Sequence, residues 1–293
     1  MSLQQWCLLS LLSLLWGGSF LFIELSLLVF EPLTIVFVRL AIAAILLHGV
    51  VYLSGQRLPR SPRIWLAFAG MGILNNLIPF GLIIWGQQHI TASLASILNA
   101  TTPIFTVILA NWLTSDEKLT TYRLLGVALG FSGVVVLMGP EILGGLSFQS
   151  IGQFAILGAA LSYGFAAIYG RQFKAMPSKV AAAGIVTTSS IMVFPLALLE
   201  SPLSVQISLV SGVALFCLGL LSTGVAYLIF YHLLAKAGAT YTSLVTFLIP
   251  LSAVILGVLI LGERLSGGAI AGMILILAGL LVIDGRLLRK WRA

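Results

Sequence analysis

Amides, hydroxyls and aromatic rings recur at helical spacing inside stretches of this chain that are otherwise apolar. Asn75 and Asn76 precede Pro79, Phe80 and Gln87, and Asn76, Phe80, Ile83 and Gln87 share one helical face. Ser96, Asn99, Thr102 and Thr106 share another, interrupted by Pro103. Ser162, Tyr163 and Tyr169 follow, then Ser222 and a stripe of Thr223, Tyr227 and Tyr231, while Thr246 stands one turn before Pro250. Trp16 and Trp85 offer aromatic walls. Amides and hydroxyls bind an ammonium or a carboxylate, and aromatic faces pack an apolar side chain or attract a cation. A proline removes a backbone donor and frees a carbonyl one turn back for a polar ligand group. Pro79, Pro103 and Pro250 therefore read as helix breaks beside a pocket for a small amphipathic molecule. A lone Ser or Thr has a plainer use, a cross-helix hydrogen bond of about 0.6 kcal/mol.

Charged residues are scarce in the same stretches. Arg39 falls about two turns inside the end of an apolar run, where Glu24 of the preceding run can pair with it as an outer gate or brace. His48 and His232 lie toward run ends, and no carboxylate lies deep in any run, so a carboxylate proton relay is not expected. No His-Glu-x-x-His helix or other metal motif occurs, and no cofactor is expected. Gly17-Gly18-Ser19 offers a serine without an evident base, which argues against an intramembrane hydrolase. A channel needs rings of charges or carbonyls around an axis, which this chain does not suggest.

These residues must be positioned by elements that tolerate lipid. Of 293 residues, 60% are hydrophobic and 8% charged, against about 25% charged in soluble domains. A water-facing surface cannot be covered with so few charges. Ten apolar runs are long enough to span a bilayer: residues 3–25, 32–53, 62–86, 91–113, 121–138, 151–171, 179–199, 207–235, 239–262 and 265–288. They are too uniformly apolar for barrel strands, which alternate, so the fold class is all-α, a polytopic membrane protein. The first run lacks a basic leader and a cleavage site and is read as a retained helix. Cys7 and Cys217 lie inside runs and define no disulfide framework.

The gaps carry the orientation. With the N-terminus inside, even gaps and the C-terminus hold Arg57, Arg60, Arg63, Lys118, Arg123, Arg171, Lys174, Lys179, Lys236, Arg286, Arg289, Lys290 and Arg292, whereas odd gaps hold only Arg264. Odd gaps instead hold Glu31, Glu141, Glu200 and Glu263. This bias places both termini in the cytoplasm. The net charge of +7 thus serves orientation, and no nucleic-acid partner is expected.

The chain repeats itself. Ala92 and Pro103 match Ala239 and Pro250 at one offset, and Glu117-Lys118-Leu119 matches Glu263-Arg264-Leu265 after a one-residue gap. Gly126 and Gly133 match Gly272 and Gly279, and Trp16-Gly17 matches Tyr163-Gly164. Two consecutive halves of five helices insert with opposite orientation, so the repeat is inverted and the site is expected at mid-depth between the halves. The halves are residues 1–140 and 147–288, followed by a short basic tail, 289–293.

In the Trp16-Gly17-Gly18-Ser19 motif, Arg39, the mid-helix Pro103 and Pro250, and the Glu117-Lys118-Leu119 and Gly262-Glu263-Arg264-Leu265 ends, the chain resembles the drug/metabolite transporter superfamily, specifically EamA-domain proteins. The resemblance covers the whole chain as two repeats. It departs in the first half, where Ser115-Asp116-Glu117-Lys118 stands in place of the fuller Leu-Gly-Glu-Arg. The resemblance implies a ten-helix inner-membrane carrier, often an exporter of amino acids or related metabolites, with YddG-type exporters as the functional group most like it. The expected partners are a small-molecule substrate and the bilayer, in a monomer or a weak dimer formed through the glycine-rich fifth and tenth helices. Export of drug-like or quaternary aromatic cations is the alternative.

Overall fold

In a computed structural model of the chain, residues 2–139, 147–200 and 208–285 are described. Glu141, Trp291, the cations beyond Gly285 and the tail 289–293 lie outside them. All regular structure among the described residues is helical. The spans are α1 Leu3–Leu27, α2 Pro32–Leu53, α3 Pro62–Gln87, α4 Ala92–Leu113, α5 Thr121–Met138, α6 Phe148–Phe173, α7 Ser178–Ala197 and α8 Leu209–Ala237. A single turn, Ala239–Thr242, leads into α9, Val245–Ile260, and α10 is Gly267–Asp284. Nine of the ten are long and apolar enough to cross a bilayer; α9 is shorter because its first turn is detached. Pro32, Pro62 and Pro103 each begin a helical segment, where the missing N–H goes unused.

The packing is symmetric under exchange of the halves. α1 packs on α9 as α6 packs on α4, α1 on α8 as α6 on α3, and α3 on α7 as α8 on α2. α2 pairs with α7, and α5 pairs with α10. Glycines set these approaches. A Cβ at Gly17 would run into Ser252 and the backbone of Ala253 on α9, and one at Gly164 into Phe105 and Thr106 on α4. Ser13 and Ser252 seal the first contact, the Ser252 hydroxyl donating to the Ser13 carbonyl at 2.7 Å.

α5 and α10 pack backbone to backbone. A Cβ at Gly126 would strike Gly279, and one at Gly133 would strike Gly272 and Ile276. The glycine faces proposed as a dimer surface are thus covered within one chain.

Two spans carry a widened turn at corresponding depth. In α3 residues Ile73–Leu77 form a π turn, as do Leu220–Val225 in α8. Pro79 follows the first. In the second, the Thr223 hydroxyl donates to the Leu218 carbonyl five residues back at 3.0 Å.

Candidate functional site

The core of the molecule opens into a cavity of about 600 Å³. Its walls come in pairs, one residue from each half at one constant spacing along the chain: Trp16 with Tyr163, Phe80 with Tyr227, Ile83 with Phe230, Asn99 with Thr246, Thr102 with Ile249, and Pro103 with Pro250. Asn75, Tyr231 and Arg39 add to this wall. Trp16, Arg39, Asn75, Phe80, Asn99, Thr102, Pro103, Tyr163, Tyr227, Tyr231, Thr246 and Pro250, singled out in sequence, thus converge from α1, α2, α3, α4, α6, α8 and α9 on one space.

Three others support the wall instead of forming it. Asn76 is fully buried in the π turn of α3. Its amide donates to the Ser189 hydroxyl on α7 at 2.9 Å, and its Oδ1 accepts the Tyr227 hydroxyl at 3.1 Å. Asn75 donates to the same Tyr227 oxygen at 3.2 Å. This cluster links the two halves through an aromatic side chain that faces the cavity. Thr223, also fully buried, accepts from Arg39 Nε at 2.7 Å. Pro79 is buried behind Phe80.

Trp85 lies elsewhere, 36% exposed and edge-on to His89. Glu24 is not paired with Arg39; it accepts from Gln87 Nε2 at 3.3 Å, and the Gln87 amide also donates to the Phe20 carbonyl at 2.9 Å. The Arg39 side chain turns inward to Thr223, with its guanidinium carbon 3.7 Å above the centre of the Phe80 ring.

The prolines behave differently from one another. α4 breaks before Pro103, between Ala92–Asn99 and Thr102–Leu113. The carbonyl that Pro103 frees, that of Asn99, is taken by the Thr102 hydroxyl at 2.8 Å and is not left for a ligand. α9 runs unbroken through Pro250, and its discontinuity falls earlier, between Thr242 and Val245. The Oδ1 of Asn99 is buried without a hydrogen-bond partner.

The two ends of the bundle differ. At one end the cavity wall reaches Gly170, Phe173, Lys174, Met176 and Ser178, the connection from α6 to α7. Toward the other end it stops at Ile23 and Ile83. Beyond that point carboxylates tie the halves together. Glu200 accepts the Leu33 and Thr34 amides at 2.9 and 2.7 Å at the start of α2. Glu263 accepts the Ala92 and Ser93 amides at 2.8 and 3.0 Å at the start of α4. An anion at a helix start meets unpaired N–H groups and the positive end of the helix dipole. Sequence reading placed these two acids in loops without seeing their function. The signal available was an isolated acid opposite a helix start.

On the cavity's open side Arg171 pairs with Asp116 at 3.0 Å and with Glu117. The Arg171 guanidinium holds the Asp116 carboxyl below the usual carboxylate range. Among the described residues no cluster of three or more metal-ligating side chains occurs.

A bundle of two pseudo-symmetric helical halves around a seam cavity is the build of a polytopic membrane carrier. The model of the EamA-like transporter family matches residues 4–139 and 150–284, so the chain belongs to that family and is a membrane transporter. It is 25% identical to the Bacillus subtilis uncharacterized transporter YoaV, over 92% of each chain. It is 27% identical to an uncharacterized transporter of Archaeoglobus fulgidus, over 96% of this chain and 99% of that one. It is 25% identical to the Escherichia coli uncharacterized inner membrane transporter YedA, over 87% and 82%. One crystal structure, 20% identical, covers all of both chains with a TM-score of 0.71 and shares the fold.

Proposed function

We propose that the chain is an inner-membrane exporter of small amphipathic metabolites, foremost amino acids with apolar or aromatic side chains, working by alternating access. The observation that carries this reading is the cavity at the seam, its walls contributed in equivalent pairs by the two halves. Rocking one half against the other then exposes the same residues first to one side and then to the other. The charge bias of the loops supports a cytoplasmic position for both termini and for the α6–α7 connection, which makes this the inward-facing state. The name of the E. coli relative supports the inner membrane.

Export of aromatic cations is the second reading, supported by Trp16, Tyr163 and Tyr231. Against it, the charged wall residues among those described, Arg39 and Lys174, are basic. The test is counterflow in proteoliposomes preloaded, in separate batches, with unlabelled phenylalanine or with an unlabelled quaternary aromatic cation. Saturable accumulation of labelled phenylalanine is expected. Accumulation of a quaternary aromatic cation alone would favour the second reading, and non-saturating leak of every probe would sink both.

A further inference from the structure

We propose that Arg39 is the anion anchor of this cavity, its free edge binding a carboxylate carried by the transported solute. The inference rests on reading the cavity as a solute site. Arg39 is only 5% exposed, yet it lines the cavity. Its guanidinium is fixed on two sides, by the Nε hydrogen bond to Thr223 and by the Phe80 ring beneath it. Thr223 is itself pinned to the Leu218 carbonyl in the widened turn of α8. Both Nη groups, by contrast, have no hydrogen-bond partner among the described residues.

A guanidinium stays protonated in proteins. Burying it unpaired is costly, and the usual remedy is a carboxylate within hydrogen-bond reach. Among the described residues that line the cavity, none is Asp, Glu or His. Glu24, the acid on the neighbouring span, is engaged by Gln87. The compensating anion must therefore come with the ligand, and the free Nη edge presents the fork that a carboxylate binds with two hydrogen bonds.

The symmetry of the wall sharpens the point. The spacing that relates Phe80 to Tyr227 relates Arg39 to Val186, a buried aliphatic side chain. Aromatic walls come from both halves, Trp16 with Tyr163 and Phe80 with Tyr227, whereas among the described residues the deep charge of Arg39 has no counterpart. Such a site fixes which end of an amphipathic solute faces Arg39. It favours zwitterions and monocarboxylates over cations.

The test is binding to the purified full chain in nanodiscs, read by melting-temperature shift and by competition. The three probes share a phenyl group: phenylalanine, 3-phenylpropionate and phenethyltrimethylammonium. Phenylalanine and 3-phenylpropionate are expected to bind at least about tenfold more tightly than the cation. Arg39→Gln should weaken the two carboxylates by about 30-fold or more, Arg39→Lys by less, and neither should weaken the cation. Preference of the native chain for the cation would overturn the proposal while leaving a carrier. So would an Arg39→Gln protein of native elution and melting that loses less than about threefold in carboxylate binding. If Arg39→Gln fails to fold, the preference of the native chain decides alone. Binding of none of the probes, together with no phenylalanine counterflow, would remove the carrier reading and the proposal with it.

Discussion

Glu117 and Glu263 hold corresponding places in the two halves and make opposite contacts. Glu263 crosses the seam to cap the start of α4, whereas Glu117 is held by Arg171 at the end of α6. The difference follows the cavity, whose wall stops at Ile23 and Ile83 toward the Glu263 end and reaches Gly170 and Phe173, on either side of Glu117's partner Arg171, at the other. The backbone also prepares it. Six residues before Glu263 stands Gly257, where a Cβ would strike both the Glu263 carboxylate and the Ser93 hydroxyl; six residues before Glu117 stands Asn111.

Removing the Glu263 seal should shift the population toward the opposite opening. Glu263→Ala forfeits a helix cap worth about 1 kcal/mol. Gly257→Ala should act in the same direction by displacing the carboxylate. The readout is labelling of Ile90→Cys, a position only 6% exposed, by an impermeant maleimide in a chain lacking Cys7 and Cys217. Labelling should rise by about fivefold or more. Unchanged labelling in both variants would show that these contacts do not hold that end shut.

The two asparagines of α3 should separate by phenotype. Asn76→Ala strips the Ser189 and Tyr227 hydroxyls of a buried partner and should destabilise the protein by about 1–3 kcal/mol. Asn75 lines the cavity, so Asn75→Ala should raise KM for the transported solute with little change in melting temperature. The reverse pattern would exchange their assignments.

The α5–α10 contact should tolerate no side chain at its glycines. Gly133→Leu or Gly279→Leu forces backbones apart and should cost about 1–3 kcal/mol of stability or abolish folding. Because this face is covered within one chain, the monomer–dimer ratio in detergent should stay unchanged for any variant that folds. A selective loss of dimer without loss of stability would contradict that.

Acidification should erase one exposed contact. Arg171 depresses the Asp116 carboxyl, so this pair contributes stability at neutral pH and loses it as the pH falls through that lowered value. The melting-temperature gap between the native chain and Arg171→Gln should therefore be small at pH 7 and close on acidification into and below the ordinary carboxylate range. A gap that widens on acidification would reverse the sign.

Flux should be insensitive to a pH gradient. Among the described residues no carboxylate or imidazole lines the cavity, and His48 hydrogen-bonds the Ala44 carbonyl of its own helix at 2.9 Å. Equal initial rates of phenylalanine efflux with and without a gradient are expected in proteoliposomes. A strong dependence that survives substitution of His48 and His232 would refute it.

Much of this was legible from residue type and spacing, because lipid restricts the backbone to helices. The run limits, the repeat and the convergence of Trp16, Asn99, Tyr163 and Tyr227 all follow from hydropathy and period. The partners of Arg39, Glu200 and Glu263 were not, because each lies on a span distant in sequence, and helical period gives a face without naming its neighbour. Trp85 is a different case: it stands half a turn round the helix from the Asn76–Phe80–Ile83–Gln87 face, so residue type pointed to a wall while the period already turned it to the outside.

A π turn holds one residue more than an α turn without a matching gain in length, so it acts as a fixed angular offset of roughly 100° between the two ends of a rod. α3 and α8 each carry one at the same depth. Deleting a single residue from Leu220–Val225 would leave hydropathy and span length almost untouched, yet it would swing Tyr227 and Tyr231 away from the seam. The wall of this cavity is therefore specified by a count of residues as much as by their chemistry.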